Sequence, residues 1–307
     1  MKTYHPKSLV LALLSALLLI SCGGSGSAMF AGGGIGGTGI ISVGTITAFG
    51  SVAVDGVEFD TGNAVIIVEG EEIGVGDDIA LANLEIGMVV TVEGKQNEDD
   101  KSAVADRIIY NDNVEGPVES ITVVNATRKD LVVLGQTVIL NTVTEFKGTS
   151  FDDIAINDVV EISGLFDDSG AIWATFLEKT DGVVFEVTGF VENLDAVQET
   201  FKINDLTVDY SMADTNGLPG GVTAEGLLVE VEGSLIGPVM FADVIELGDE
   251  LGAEDVDKLE VTGFVTDVVS AFEFTVGTQL VRTDADTIFV DGTAGNIALG
   301  VKLEAEG

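Results

Sequence analysis

The sequence predicts an all-β protein built from tandem, small β-barrel repeats that are OB-like, and three observations carry this prediction. Apolar and polar residues alternate along many short segments, as they do in strands that bury one face. Sequence marks recur in the same order about every 72 residues, starting at Gly44, Gly116, Gly189 and Gly263. Helical periodicity is weak, and the chain contains only four prolines.

Each repeat opens on the first mark, a glycine followed two residues later by Ile or Val, which begins a strand. A hairpin comes next, and its turn lies at Asp55-Gly56, Gly135, Asn204-Asp205 or Gly277. The second mark is an alternating strand that stops at Gly94, Gly164, Gly233 or Gly307. The third mark is a further strand after a short turn, at 103–110, 171–178 and 239–247. Five or six strands per repeat fit a small closed barrel better than an open sandwich.

Alternation within the second mark predicts which side chains face the core. In the third repeat, Val229 and Val231 are expected inside, and Glu230 and Glu232 in solvent. Short helical turns are expected just before this mark, at 83–87, 152–158 and 223–226.

The first residues predict a targeting segment. Lys2, His5 and Lys7 precede an apolar run at 9–20 that is too short to span a bilayer as a mature helix but suits a signal peptide. The run ends in Leu19-Ile20-Ser21-Cys22, which resembles the lipobox of bacterial lipoproteins. The resemblance implies that Cys22 is lipidated and becomes the new N terminus.

The alternative is an ordinary signal peptide with an incidental cysteine, but the single cysteine of the chain stands at the lipidation position. Gly23 follows it instead of Asp. By resemblance to lipoprotein sorting, that favours anchoring in the outer membrane, facing the periplasm or the cell surface.

The segment after Cys22 is rich in Gly and Ser and contains two overlapping G-x-G-x-x-G matches between Gly32 and Gly39. A dinucleotide loop needs a strand before it and a helix after it, so a flexible tether is the better reading. The expected organisation is a signal peptide at 1–21, a lipidated tether at 22–43, and barrel units at 44–115, 116–188, 189–262 and 263–307.

The fourth unit is expected to be incomplete. Units one to three each place a strand after the second mark, whereas the given sequence stops at Gly307. We therefore expect a fragment of a longer protein, or an open fourth unit. Its last strand should be less buried than its counterparts, so that Val301, Leu303 and Ala305 are more exposed than Val89, Val92, Val229 and Val231.

Charge and composition exclude several classes of function. The 307 residues carry 13 Lys+Arg against 52 Asp+Glu, a formal charge of −39, which argues against nucleic-acid binding. The only His and the only Cys fall in or next to the predicted signal peptide. His-dependent triads and Cys/His zinc sites are therefore excluded from the mature chain. We expect no catalytic residues and no enzyme, although carboxylates converging from different units would favour one.

Ca²⁺ is the more serious ligand, because it takes oxygen donors. Acidic loops occur at 98–100, 152–153, 167–170, 214–217 and 284–286, and none matches an EF-hand. Turns use the same residue types, so no dedicated metal site and no cofactor are expected, only weak association of Ca²⁺ or Mg²⁺. Trp173, the only Trp, is either a sugar-stacking platform or packed against a neighbouring unit.

Five segments carry a family resemblance: the lipobox, the glycine-rich tether, the run from Gly44 to Val57, the run from Gly87 to Gly94 and Leu134-Gly135-Gln136-Thr137-Val138. Together they resemble bacterial lipoproteins built from repeats of domain-of-unknown-function family 5666. The resemblance implies a small β-barrel repeat on an exported lipoprotein and no assigned activity. The expected function is a non-catalytic scaffold, spacer or adhesion module, anchored to the membrane by lipid, with an envelope protein or polysaccharide as partner. The alternative is a binding module for divalent cations or an exported polysaccharide.

Overall fold

The computed structural model describes residues 39–97, 101–248, 256–270 and 272–307. The expected lipidation site Cys22, most of the tether and the acidic loop at 98–100 lie outside the described residues.

The first repeat is a closed barrel. Its elements are β1 (Gly39–Ala48), β2 (Val52–Val54), β3 (Val57–Asp60), β4 (Val65–Val68), β5 (Glu71–Val75), α1 (Asp77–Asn83), β6 (Val89–Gln96) and β7 (Ser102–Tyr110). Ladders join β1 to β2, β2 to β3, β3 to β7, β7 to β6 and β6 back to β1, which closes a ring of five strands. Closure leaves no free edge in the ring.

The second repeat closes in the same order. It comprises β8 (Val114–Asn125), β9 (Arg128–Val133), β10 (Gln136–Leu140), β11 (Glu145–Lys147), β12 (Val159–Phe166) and β13 (Ile172–Thr180). The ring runs β8, β9, β10, β13, β12 and back to β8. These two five-stranded barrels confirm the predicted fold class.

The third repeat has the same strand order with a broken opening strand. Its elements are β14 (Phe185–Phe190), β15 (Glu192–Asp195), β16 (Thr200–Ile203), β17 (Leu206–Asp209), a 3₁₀ helix (Pro219–Gly221), β18 (Leu228–Ile236) and β19 (Val239–Leu247). The opening strand divides at Val191, so that β14 pairs with β18 while β15 pairs with β16.

The fourth repeat has fewer strands. It consists of β20 (Lys258–Ser270), β21 (Glu273–Val276), β22 (Gln279–Arg282), a 3₁₀ helix (Ala294–Asn296) and β23 (Lys302–Glu306). Within the described residues, β23 pairs only with β20. Val301 is 37% exposed and Leu303 and Ala305 are half-buried, whereas Val92, Val229 and Val231 are fully buried. The expected difference in burial is therefore present, except that Val89 is itself half-buried.

The recurring glycines stand where another part of the barrel leaves no room for a side chain. A Cβ at a first-mark glycine would meet the hairpin folded over it, namely Asp55 at Gly44, Leu134 at Gly116, Ile203 at Gly189 and Val276 at Gly263. A Cβ at the second-mark Gly94, Gly164 or Gly233 would lie well under 3.0 Å from a carbonyl oxygen of the next strand. Each of these three glycines follows a register shift in that ladder. The glycines thus recur in the sequence because each barrel closes in the same way and leaves no room for a side chain at these positions.

Backbone ladders also cross between repeats. β1 pairs in parallel with β20, which joins the first repeat to the fourth. β8 pairs antiparallel with β14, which joins the second repeat to the third. The described strands therefore form two sheets, one from repeats one and four and the other from repeats two and three.

Two groups of sequence boundaries need correction. The opening strands begin before their glycines, at Gly39, Val114, Phe185 and Lys258 instead of at 44, 116, 189 and 263. The C-terminal part of the expected 22–43 tether is thus strand, with Ile40 and Ile41 buried by β6 and β20. The only α-helix of the described residues is Asp77–Asn83, while 152–158 and 223–226 form turns. In the part of the chain that the structure describes, no helix has the length and apolar character needed to cross a membrane.

Candidate functional site

Carboxylates from different repeats meet where the two sheets face each other. Glu69 of the first repeat lies beside Glu186 and Glu230 of the third, and one oxygen from each lies within 4.8 Å of the others. We call these three residues the glutamate cluster. Charge repulsion would separate them unless something else holds them together.

Each member of the cluster is positioned by backbone structure. Glu69 occupies the two-residue turn between β4 and β5 at φ 47°, and its N–H donates to the carbonyl of Tyr110 at 3.0 Å. Glu186 lies on β14 and Glu230 on the paired strand β18. Their side chains leave the barrel on its outer face, because Val187, Val229 and Val231 fill the inside.

Asp112 adds a fourth carboxylate in the link between β7 and β8. It is only 5% exposed, and its Oδ1 is buried without a hydrogen-bond partner. Its N–H donates to Glu69 Oε1 at 3.1 Å. The strongest charge effects on Asp112 come from Glu186 and then Glu69, so this buried group faces the glutamate cluster.

A second carboxylate contact flanks the cluster. The phenol of Tyr110 donates to Glu161 Oε1 at 2.7 Å, which connects the first repeat to the second. Burial is the main cause that raises the pKa of Glu161, and the nearby carboxylates Glu178 and Glu115 raise it further.

Burial also raises the pKa of Asp112, Glu186 and Glu69. For Asp112 the pKa is raised well above its ordinary value, first by desolvation and then by Glu186 and Glu69. The pKa of Glu186 is raised by desolvation and by Glu69. Desolvation raises that of Glu69 as well, although a hydrogen bond with Glu186 acts in the opposite direction. The two carboxyls are therefore placed to share a proton or a bound cation.

A cavity of about 150 Å³ lies next to the cluster and is lined by all four repeats. Asp112 and Glu230 reach its wall, together with apolar residues such as Val89, Phe166 and Val261. Glu69 and Glu186 do not line it. Carboxylates from different units do converge, as an acid–base site would require. Their oxygens are adjacent to one another, however, and do not face each other across a cleft.

Four of the five acidic loops singled out in the sequence lie within the described residues, and each of these four uses a carboxylate to shape a turn. Asp167 Oδ1 accepts from the N–H groups of Ser169 and Ala171, at 2.9 and 3.1 Å. Asp214 accepts from the N–H of Asn216, and Asp284 from that of Asp286. Asp153 instead accepts from the Ser150 hydroxyl. These contacts are those of ordinary Asx and ST turns.

Trp173 packs against the neighbouring unit. Its ring centroid lies 5.5 Å from that of Phe264 in the fourth repeat, with the Arg128 guanidinium 5.4 Å from the ring. Its Nε1–H donates to Asp167 Oδ2 at 2.8 Å. The half-buried indole is thus part of the contact between the second and fourth repeats.

Sequence reasoning missed the glutamate cluster. Alternation correctly put Glu230 outside its own barrel, but the position outside one barrel can face another barrel instead of water. The one available signal was that Glu186 and Glu230 both stand outward on strands of the same repeat. Nothing local to Glu69 or Asp112 linked them to that repeat.

The family comparison confirms the resemblance to DUF5666 repeats and does not test the predicted lipoprotein. The model of a domain of unknown function, DUF5666, matches residues 115–178 and residues 262–307, which cover much of the second and fourth repeats. No curated protein and no solved structure matches the chain.

Proposed function

We propose that this protein, two segments of which match the DUF5666 model, is a non-catalytic lipoprotein of the cell envelope. In this proposal Cys22 carries the lipid anchor to the outer membrane. The repeats serve as a scaffold, spacer or adhesion module that presents its own surface at a fixed position relative to the membrane.

The observation that carries the proposal is the way in which the repeats are joined. The ladder of β1 with β20 joins the first repeat to the fourth, and the ladder of β8 with β14 joins the second repeat to the third. Trp173 of the second repeat also packs on Phe264 of the fourth. Flexible beads on a string would lack such contacts. A body with backbone hydrogen bonds between its units suits a mechanical or presenting role.

Two further observations favour this role over polysaccharide binding. Sugar sites commonly use an exposed aromatic face, and the half-buried ring of Trp173 instead contacts Phe264 and Arg128. In the acidic loops that the structure describes, Asp167, Asp214 and Asp284 each accept a hydrogen bond within their own turn.

The anchor is tested by replacing Cys22 with Ser in the full chain. C22S should lose the lipid and leave the membrane fraction, while Ser25→Ala, three residues downstream, should stay with it. A C22S protein that remains membrane-bound would contradict the lipoprotein assignment.

The scaffold role is tested by complementing a deletion strain with C22S. A released enzyme would still act on its substrate, whereas a scaffold cannot work where it is not attached. We therefore expect folded C22S to fail where S25A succeeds. Full complementation by released protein would reject the anchored scaffold.

A further inference from the structure

Five glutamates stand in one row across the strands that join the second repeat to the third. Glu161 lies directly opposite Glu178 and Glu115 in its two backbone ladders. Glu186 lies directly opposite Glu115 and Glu232. We call these five residues the glutamate row, which crosses β13, β12, β8, β14 and β18 in that order. Like charges at opposite positions of paired strands are destabilising, so the row opposes this pairing when its members are ionised.

Glu186 differs from its neighbours in the row because its hydrogen-bond partner is another acid. Three other members hold partners that are not acids: Lys147 at 3.0 Å from Glu178, the Tyr110 phenol at 2.7 Å from Glu161, and the Thr180 hydroxyl at 2.7 Å from Glu115. The carboxyls of Glu186 and Glu69 hydrogen-bond each other. An ionised carboxylate only accepts hydrogen bonds, so this contact exists only while one of the two groups carries a proton.

The contact between Glu69 and Glu186 joins two parts of the molecule that share no backbone ladder within the described residues. Glu69 lies between two strands of the sheet of repeats one and four, and Glu186 lies in the sheet of repeats two and three. The side-chain contacts between these sheets include the Ser163 hydroxyl, which accepts from the Val89 N–H at 2.9 Å and does not titrate. The contact between the two glutamates can therefore respond to pH where that one cannot.

We propose that the Glu69–Glu186 contact is a pH-sensitive joint, which holds the first repeat against the third while it keeps its proton and weakens when the proton is lost. Loss of the proton leaves two adjacent carboxylates that repel each other. Glu186 also lies beside Glu115 in the ladder of β8 with β14, which contains two residue pairs. The joint between the second and third repeats should therefore weaken with the same proton. The proposal does not depend on the anchor or the scaffold role, because it concerns how the repeats assemble.

The surroundings of the pair make its ionisation costly. The titratable groups that face the pair or act on it are Glu230, Asp112, Glu161, Glu115, Glu232 and Tyr110. Lys147, the cation that acts on Glu161, is also paired with Glu85 and Glu178 at 3.1 and 3.0 Å. Negative charge on the pair is thus added to a region that already holds several acids.

The direction of the pH effect follows from burial. Burial is the main cause that raises the pKa of Glu186, to about 9, and the charge of Glu69 raises it further. Burial likewise raises the pKa of Glu69, to about 7. Both pKa values exceed the ordinary value of 4.5, so protonation of the pair favours the folded state. This contribution is complete below the ordinary pKa and is lost as the pH rises through about 7 to about 9.

The test is the pH dependence of urea unfolding of the full chain between about pH 7.5 and about pH 9. Each proton that the folded state keeps and the unfolded state has lost lowers the folding equilibrium constant about tenfold per pH unit. Glu186→Gln cannot ionise, and its amide can still donate a hydrogen bond to Glu69. We expect the folding constant of E186Q to fall about tenfold less per pH unit than that of the unchanged protein. At about pH 5 the two proteins should be equally stable.

The control Glu192→Gln removes a carboxylate from an exposed position on β15 of the same repeat. E192Q should keep the pH dependence of the unchanged protein. The double variant E69Q/E186Q should be no flatter than E186Q, because the two groups share one proton. If E186Q follows E192Q, or if E69Q/E186Q is flatter than E186Q by a further tenfold per pH unit, a shared proton does not control the joint and the inference fails.

Hydrogen exchange locates the effect within the chain. At about pH 9, the amides at 66–72 and 184–188 should exchange severalfold faster in the unchanged protein than in E186Q, since a comparison at one pH cancels the intrinsic rate. The amides of β10, inside the second barrel, should change less. Circular dichroism at about pH 5 checks that E186Q is folded, and E69Q replaces it if it is not. Equal exchange at 66–72 and 184–188 in a folded variant and the unchanged protein would also overturn the inference.

Discussion

At the scale of single residues, the glycines of the second mark lie in close contact with the backbone of the neighbouring strand. A Cβ placed on Gly164 would lie 2.4 Å from the carbonyl oxygen of Trp173 across the shifted ladder of β12 and β13, whereas the nearest atom to a Cβ on the exposed Gly292 lies 3.6 Å away. The recurring glycine of the second mark is thus under a constraint that this loop glycine does not share.

Gly164→Ala should therefore destabilise the protein, while Gly292→Ala should have almost no effect. Forcing a methyl group into a packed site costs about 1–3 kcal/mol. The measurement is the urea midpoint of each variant under identical salt. Equal midpoints for G164A and G292A would show that the β12–β13 ladder relaxes freely around the bulge.

The carboxylates show where residue-level prediction stops. Alternation predicted that Val229 and Val231 lie inside, and both are fully buried. It also predicted that Glu230 and Glu232 are wet, which holds for the exposed Glu232 but not for Glu230 in the cluster. Period two reports only which side of a strand faces its own core. The placement of a second barrel against the outer side is a long-range property.

At the scale of elements, the ladder between β1 and β20 brings acids together at the joint of the first and fourth repeats. Asp55 covers Gly44 and lies near Thr262, Glu304 and Lys302. Glu260 is only 3% exposed and lies near Glu304, Lys258 and Glu306. Burial raises the pKa of Asp55 to about 6 and that of Glu260 to about 7.

This joint should weaken as the pH rises. A carboxyl whose pKa is higher in the folded than in the unfolded state favours folding while it is protonated, and the advantage is lost as pH rises through the folded pKa. Between pH 4 and 7, Asp55 should therefore cost about 2 kcal/mol of unfolding free energy. Asp55→Asn should flatten the pH dependence of stability, measured by urea unfolding at each pH.

The control is Asp60→Asn, which removes an exposed carboxylate of the same repeat. D60N should keep the pH dependence of the unchanged protein. If D55N and D60N follow the same curve, Asp55 does not control the joint.

The strands themselves were predictable, but the joints between repeats were not. Hairpin turns such as Asp55-Gly56 and the alternating runs are local signals, and the structure has strands on both sides of that turn. The β1–β20 ladder begins at Ile40, within a segment whose glycines predict a tether. Ile40 and Ile41 become strand because β6 and β20 offer hydrogen bonds on both sides. Tertiary pairing here overrides local composition.

At the scale of the whole molecule, charge is the dominant feature. The chain has 52 acidic residues against 13 Lys+Arg, and the described residues contain eight salt bridges. Most of these pairs are partly exposed, and such pairs add little stability.

The repeat architecture could be predicted because each barrel closes with local hairpins. The assembly of repeats could not, since it brings like charges together against their repulsion.

This excess charge predicts that salt stabilises the protein. The screening length falls from about 30 Å at 0.01 M salt to about 3 Å at 1 M, so repulsion between carboxylates on different repeats should nearly vanish. In the presence of chelator, which separates screening from divalent binding, the melting temperature should rise by several degrees between these concentrations. Each kcal/mol of relieved repulsion contributes about 2–4 °C in a domain of this size. NaCl and choline chloride should act alike, because screening depends on ionic strength. A melting temperature that stays flat in both salts would mean that protons already neutralise the crowded carboxylates, and raising the pH to 9 should then restore the salt dependence.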